Sequence, residues 1–354
     1  MLTLIAVPSL PHTFPDHPEI PERVTAAQAA IEASPVAARL EHAPAQGGPA
    51  SPKQITAVHT PGYVAALERV MQQAPGYIEP APTYITPESF ECARLAAGGA
   101  IEAVEAALGT RSRPQAAGES SHPDAQAAFA LIRPPGHHAL PDSAMGFCLF
   151  NNVAIAARHA QARGAAKIMI VDIDVHHGNG TQAAFYSDPS VLYLSTHQGG
   201  IYPNSGWEQE TGQGAGLGYT LNMPLPAGAG DQAFERLCAE IILPAADRFA
   251  PDFLLVSAGY DAHWRDPLAN LQLSAQGYGQ IVQSLRGIAL RHCGGRMALV
   301  LEGGYDLPAL SASVIASLHA LLGDRAWPDP LGPAPHTEPD VKPLIRRWIA
   351  LHQL

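Results

Sequence analysis

The sequence predicts an α/β fold in a single domain, a parallel β-sheet flanked by helices on both faces with long loops at the strand carboxyl ends. Three observations predict it. Short apolar runs such as FALI and IMIV are bounded by turn residues, as in strands buried on both faces of a parallel sheet. These runs alternate with helical stretches, with no repeat and no linker, so residues 1–354 read as one unit. Hydrophobic residues make up 47% of the 354 and charged residues 15%, enough apolar material for one sizeable core.

The elements follow in order. The opening MLTLIAVPSL reads as a first strand; it has no basic region, and its apolar run is too short for a signal peptide. Residues 9–24, dense in proline, histidine and acid, read as a loop ending in a helix start at Pro21-Glu22-Arg23, with the helix running to Leu40. Residues 41–52 read as loop and 55–72 as helix. Thr86 as N-cap and Pro87 at the first helical position open a helix to about Leu108, in which Gly98-Gly99 suggest close packing. Residues 109–125, rich in Ser, Gly and Pro, read as a mobile insertion. Strands are expected over 127–132, 168–171, 190–196, 219–224, 252–257 and 296–301. Helices are expected over 153–163, 181–186, 232–249, 273–291 and 310–322. Residues 197–218 form a glycine-rich shaped loop. The 324–354 extension, a proline-rich crossing and a last short helix, is expected to pack on the domain.

Charge and cysteine usage bound the function. A net charge of −11 argues against nucleic acid and anionic membranes as partners. Cys92, Cys148, Cys238 and Cys293 form no C-x-x-C pair, which excludes a cysteine-rich zinc site and fits free thiols in a reducing cytoplasm. No stretch approaches the length of a membrane-spanning helix.

The chain is organised around residues 167–180, KIMIVDIDVHHGNG. Asp174 and His176, two apart at a strand end, point to the same side. Acids and imidazoles collected there are costly unless a cation sits among them, and ligands gather at the carboxyl ends of such strands. Four strands end in polar clusters: His137-His138, Asp172/Asp174/His176, Asp261 and Tyr305. Asp174, His176 and Asp261 supply two oxygens and one nitrogen, the open ligand set of a catalytic metal. The bland alternative is a strand end whose polar residues face water.

The motifs RPPGHHA, GFCLFNN, VDIDVHHGNGTQ, the YPNSG loop, SAGYDAH and LEGGY resemble, in order and over nearly the whole chain, the histone deacetylase family of the arginase/deacetylase fold. The HHGNG form and the HPEIPER segment resemble its class II and bacterial members. The resemblance implies a zinc-dependent deacetylase hydrolysing N-acetyl-lysine or a related acylated amine, with Zn²⁺ on Asp174, His176 and Asp261. It pairs His137 with Asp172 and sets His138 against Asn179, so His138 is expected as general base and then acid, with His137 as electrostatic support. Tyr305 is expected to donate to the oxyanion, and Gly146, Phe147, Tyr202 and Leu268 to line a tunnel for the acyl-lysine stem. Asp172 and Ser195 are expected near a K⁺ ion.

Departures shape the substrate expectation. Pro82-Thr83-Tyr84-Ile85 carries no acid where some relatives clamp a peptide, and Leu268 stands where polyamine-selective relatives carry a glutamate gatekeeper. Acetylpolyamine deacetylation and a non-catalytic acyl-ligand binding module are the competing readings. A two-metal ureohydrolase would need D-x-D where the chain has Asp261-Ala262-His263. His177 is read as packing and His263 as a rim residue, with His12 and His17 at the rim or on a surface loop. A homo-oligomer stays open, because the 109–125 insertion could sit at a subunit contact or hang free.

Overall fold

A computed structural model describes residues 2–43, 48–80, 82–109 and 126–354 of the chain. The expected 109–125 insertion, apart from Gly109, lies outside the described residues.

Eight strands form one parallel sheet in the order β2-β1-β5-β10-β9-β6-β7-β8. They are β1 (Leu2–Val7), β2 (Leu40–Ala43), β5 (Ala127–Ile132), β6 (Ile168–Asp172), β7 (Val191–Gln198), β8 (Thr220–Leu225), β9 (Phe253–Ala258) and β10 (Met297–Leu301). A separate antiparallel hairpin joins β3 (Gly76–Glu79) to β4 (Thr83–Ile85).

Alternation along the strands feeds two cores. Leu4, Phe129, Met169, Leu254 and Leu299 face one layer, where Val24, Leu285 and Val314 pack from helices Glu22–Glu32, Ala275–His292 and Leu307–Leu321. Their neighbours Ile5, Ala130, Ile170, Leu255 and Val300 face the other, against helices Ser89–Ala107 and Asn152–Ala162. Successive apolar residues of the central strands are thus committed to alternate helix-covered faces, which is why these runs read as continuously apolar. Trp327, Val341, Ile345 and Trp348 of the 324–354 segment join the first core.

The structure departs from the expected elements in several places. The first helix stops at Glu32, not Leu40: Ser34 caps a 3₁₀ turn at Pro35–Arg39, and Leu40 to Ala43 pair with β1 in register Leu2↔Leu40. Strand pairing overrides alanine's helix propensity here, and part of the expected 41–52 loop is strand. Of the expected 55–72 helix, Pro61–Val70 is α-helical, because Thr60 caps a fresh start with Pro61 behind it, and a short helix at Pro52–Ile55 precedes it. The next helix starts at Ser89 rather than Pro87, since the Thr86 N–H donates to the Ser89 hydroxyl instead. The 232–249 helix carries a π-type stretch at Cys238–Ile242.

Candidate active site

β5, β10, β9 and β6 are consecutive neighbours in the sheet, so their carboxyl ends open onto one rim. Asp174 and His176 follow β6, Asp261 follows β9, Tyr305 follows β10, and His137 and His138 follow β5.

Asp174, His176 and Asp261 come together with ligand atoms all within 4.8 Å of one another. His176 Nδ1 lies 3.2 Å from both Asp174 Oδ1 and Asp261 Oδ2. The carboxylates are oriented by backbone donors: the N–H of Gly303 reaches Asp174 Oδ2 at 2.8 Å and that of Val175 reaches Asp261 Oδ1 at 2.9 Å. Gly259 and Gly303 form the cradle, since a Cβ on either would overlap Asp174, and one on Gly303 would also overlap Asp261. Both acids are 1% exposed. Among the described residues no lysine or arginine pairs with either; their charged partners are His137 and His176. Burial presses the His176 imidazole downward, but its bonds to Asp174 and Asp261 win and lift it to about 10. The pocket therefore demands positive charge. Asp174, His176 and Asp261 would meet that demand by holding a divalent ion with His176 neutral, so the residues fit a metal of this class.

The two histidines differ in their partners. His137 Nδ1 lies 3.1 Å from Asp172 Oδ2, and Asp172 is fully buried, also accepting the Tyr193 hydroxyl at 3.1 Å. Burial works against the charged His137, but Asp174 and Asp172 outweigh it and raise the ring to about 10. His138 Nδ1 lies 2.8 Å from the Asn179 oxygen. Burial and the nearby His137 and His176 hold His138 well below the ordinary histidine range. The ring centroids are 4.0 Å apart.

The remaining expected residues fall around one cavity of about 250 Å³. His137, His138, Asp174, His176 and Tyr305 line it together with Gly146, Phe147, Tyr202 and Leu268. Asp172 and Asn179 stand behind the histidines rather than in the lining. Phe147, at φ 70, is held by its N–H to the Thr83 hydroxyl at 3.0 Å. The Tyr202 ring sits 5.2 Å from His138. Ser195 bonds His197, and its neighbour Thr196 donates to the Asp172 carbonyl.

Residues left without a role in the sequence reading also find places. His177 is tied to Ser205 and Gln182, and His263 is buried and accepts the Arg265 N–H, outside the ligand group. His12 is 1% exposed against Ser89 rather than at an open rim or on a surface loop. The ring of the buried His17 stands edge-on to Phe147 at 4.6 Å.

Sequence reasoning missed a buried support beneath Tyr305. Glu19, 0% exposed, pairs with Arg133 at 2.6 Å and Arg23 at 3.1 Å. Arg23 donates to the carbonyls of Gly304 and Glu302 and stacks 4.8 Å over the Tyr305 ring. Glu302 accepts the N–H groups of Gly136 and His137 at 2.7 and 3.1 Å, holding the histidine turn from below. Asp266 accepts the Tyr305 N–H at 2.6 Å. The i,i+4 spacing of Glu19 and Arg23 was the one local signal of this group.

Comparisons with known proteins place the chain in a family. The histone deacetylase domain matches residues 17–321. Histone deacetylase 14, chloroplastic, of Arabidopsis thaliana is 45% identical over 89% of this chain and 75% of its own length. A histone deacetylase-like amidohydrolase of Pseudomonas aeruginosa is 40% identical over 89% and 80%. The human polyamine deacetylase HDAC10 is 38% identical over 88% of this chain and 45% of its own. The crystal structure of the HDA15 HD domain superposes with a TM-score of 0.85 at 35% identity, covering 99% of this chain and 94% of that one. The chain belongs to the histone deacetylase family. It is an enzyme of the deacetylase and amidohydrolase class.

Proposed function

We propose that the protein is a zinc-dependent deacetylase that hydrolyses the amide of N-acetyl-lysine or a related acylated amine. One observation carries the reading: Asp174 and His176 of the carboxylate-imidazole group line the same small cavity as His138 and Tyr305, so one amide can meet all three functions. Asp174, His176 and Asp261 would hold Zn²⁺, which would supply Lewis-acid polarisation and lower the pKa of a bound water.

The protein's own residues do the rest. His138 takes the proton of the attacking water and returns it to the leaving amine. His137, kept charged by Asp172, stabilises negative charge developing beside it. The Tyr305 phenol donates to the amide oxygen as it becomes an oxyanion. Phe147 and Tyr202 flank the aliphatic stem and exclude water, with the Gly146 carbonyl near the substrate amide. Asp172 and Ser195 are the residues we assign to a K⁺ ion, supported by the full burial of both. We read residues 1–354 as one working domain. All four cysteines are buried and free, which suits a reducing compartment such as the cytoplasm. No helix of the described residues is long and apolar enough to cross a membrane.

Leu268 favours acyl-lysine over acetylpolyamine. It lines the cavity and is 38% exposed, so it meets the arriving ligand with an apolar surface, where a polycation is best met by a carboxylate. Comparing kcat/KM on an acetyl-lysine peptide and on acetylputrescine tests this. A ratio of about ten or more for the peptide, the effect of one well-placed charge, is expected; the inverse ratio makes the protein a polyamine deacetylase. Tight inhibitor binding without turnover of either contradicts both proposed substrate classes.

A further inference from the structure

The Asp266 carboxylate ties together two stretches that both line the cavity. Oδ2 accepts the N–H of Tyr305 at 2.6 Å and that of Asp306 at 3.3 Å, while Oδ1 accepts the N–H of Leu268 at 3.0 Å. Leu268 and Tyr305 are cavity residues; Asp266 is 6% exposed and stands behind them. Among the described residues it has no cationic partner, and the neighbouring Arg265 pairs with Asp306 instead. A carboxylate buried on backbone donors alone is costly to keep. Gly304 before Tyr305 sits at φ 119, a conformation that glycine adopts without steric cost, so the tyrosine's approach is set by the hydrogen bonds around it. Arg23 grips the Gly304 carbonyl at 2.7 Å but not the tyrosine's own peptide N–H.

We propose that Asp266 is a positioning residue, one carboxylate that sets the Tyr305 phenol against the Leu268 wall. The oxyanion donor and the wall that grips the acyl-amine stem are thereby fixed to each other. This rests on the deacetylase reading, in which Tyr305 donates to the oxyanion.

Asp266→Asn keeps the shape but must turn an NH₂ group toward backbone N–H donors on one side. In the zinc-loaded protein its kcat on the acetyl-lysine peptide falls roughly tenfold or more, with KM changed by less than about threefold, since the lost contact acts in the transition state. In a Tyr305→Phe background the same substitution changes kcat by less than about twofold, because coupled residues are non-additive. Amide exchange of residues 303–307 rises in Asp266→Asn while that of residues 297–301 does not. Equal losses in both backgrounds, or unchanged exchange, overturn the proposal. An inactive wild type with raised exchange in the variant overturns the deacetylase reading and leaves the tether standing. Asp266→Ser, which retains one acceptor, is read in the same way if the Asn variant fails to fold.

Discussion

The Nδ1 of His138 lies 2.8 Å from the side-chain oxygen of Asn179, and that contact decides which ring nitrogen can act as a base. An amide oxygen only accepts, so Nδ1 carries the proton and the lone pair sits on Nε2. The Asn179 amide nitrogen donates to Met145 Sδ at 3.1 Å, which fixes that orientation. His138→Ala is expected to lower kcat on an acetyl-lysine peptide by about 10²- to 10⁴-fold, the span of a positioned acid-base group. His137→Ala is expected to lose less. The reverse order in steady-state assays would exchange the two roles.

Gly303 is expected to be intolerant of a methyl group. A Cβ there would overlap the carboxylates of both Asp174 and Asp261. Gly303→Ala therefore binds less than one zinc per chain while its folded core survives. Elemental analysis beside a melting curve checks this; full metal content would show that the cradle is looser than drawn.

Phe147 touches the ligand path rather than the reacting atoms, with its ring 5.9 Å from that of Tyr305 and 4.6 Å from His17. Phe147→Ala removes grip on the stem in ground and transition states alike. A KM increase of roughly tenfold with kcat nearly unchanged is expected, the signature of uniform binding. A loss confined to kcat contradicts this placement.

The strand-end chemistry was legible because each cluster lies within a few residues of an apolar run. Asp174, His176 and the His137-His138 pair needed only the reading of two strands. The hairpin Gly76–Glu79 with Thr83–Ile85 went unseen because its strands are short and lack alternation. Glu302 and Asp266 went unseen for another reason. Their partners, His137 and Tyr305, are 165 and 39 residues away, and no periodicity announces such contacts. The strand at Leu40–Ala43 was hidden by an alanine-rich run that favours helix, and only its pairing with β1 makes it a strand.

Glu19 links acid stability to the support of the site. Burial raises its pKa, but Arg133, Arg23 and His12 outweigh that and hold it at about 2, against an ordinary 4.5. A depressed carboxylate stabilises the fold fully above the unfolded value and loses that contribution as pH falls toward the folded value. The shift corresponds to about 3 kcal/mol, present above about pH 4.5 and lost on the way down to about 2. Glu19→Gln is expected to be destabilised by about 3–5 kcal/mol at pH 7, because two buried arginines lose their partner. The gap between wild type and variant narrows below pH 4.5. Denaturant titrations at stepped pH measure it, and a constant gap contradicts the pairing.

In the proposed mechanism the Asp174–His176–Asp261 group holds a metal and Tyr305 serves the same amide. Hydrolysis of an acetyl-lysine peptide by metal-stripped protein, with Zn²⁺ then restored, tests it most directly when run beside Tyr305→Phe. Stripping is expected to abolish turnover and zinc to restore it. The Phe variant, fully metal-loaded, is expected to lose about 10²-fold or more in kcat, as loss of an oxyanion donor should. Turnover that survives stripping, or a Phe variant as fast as wild type, would contradict it.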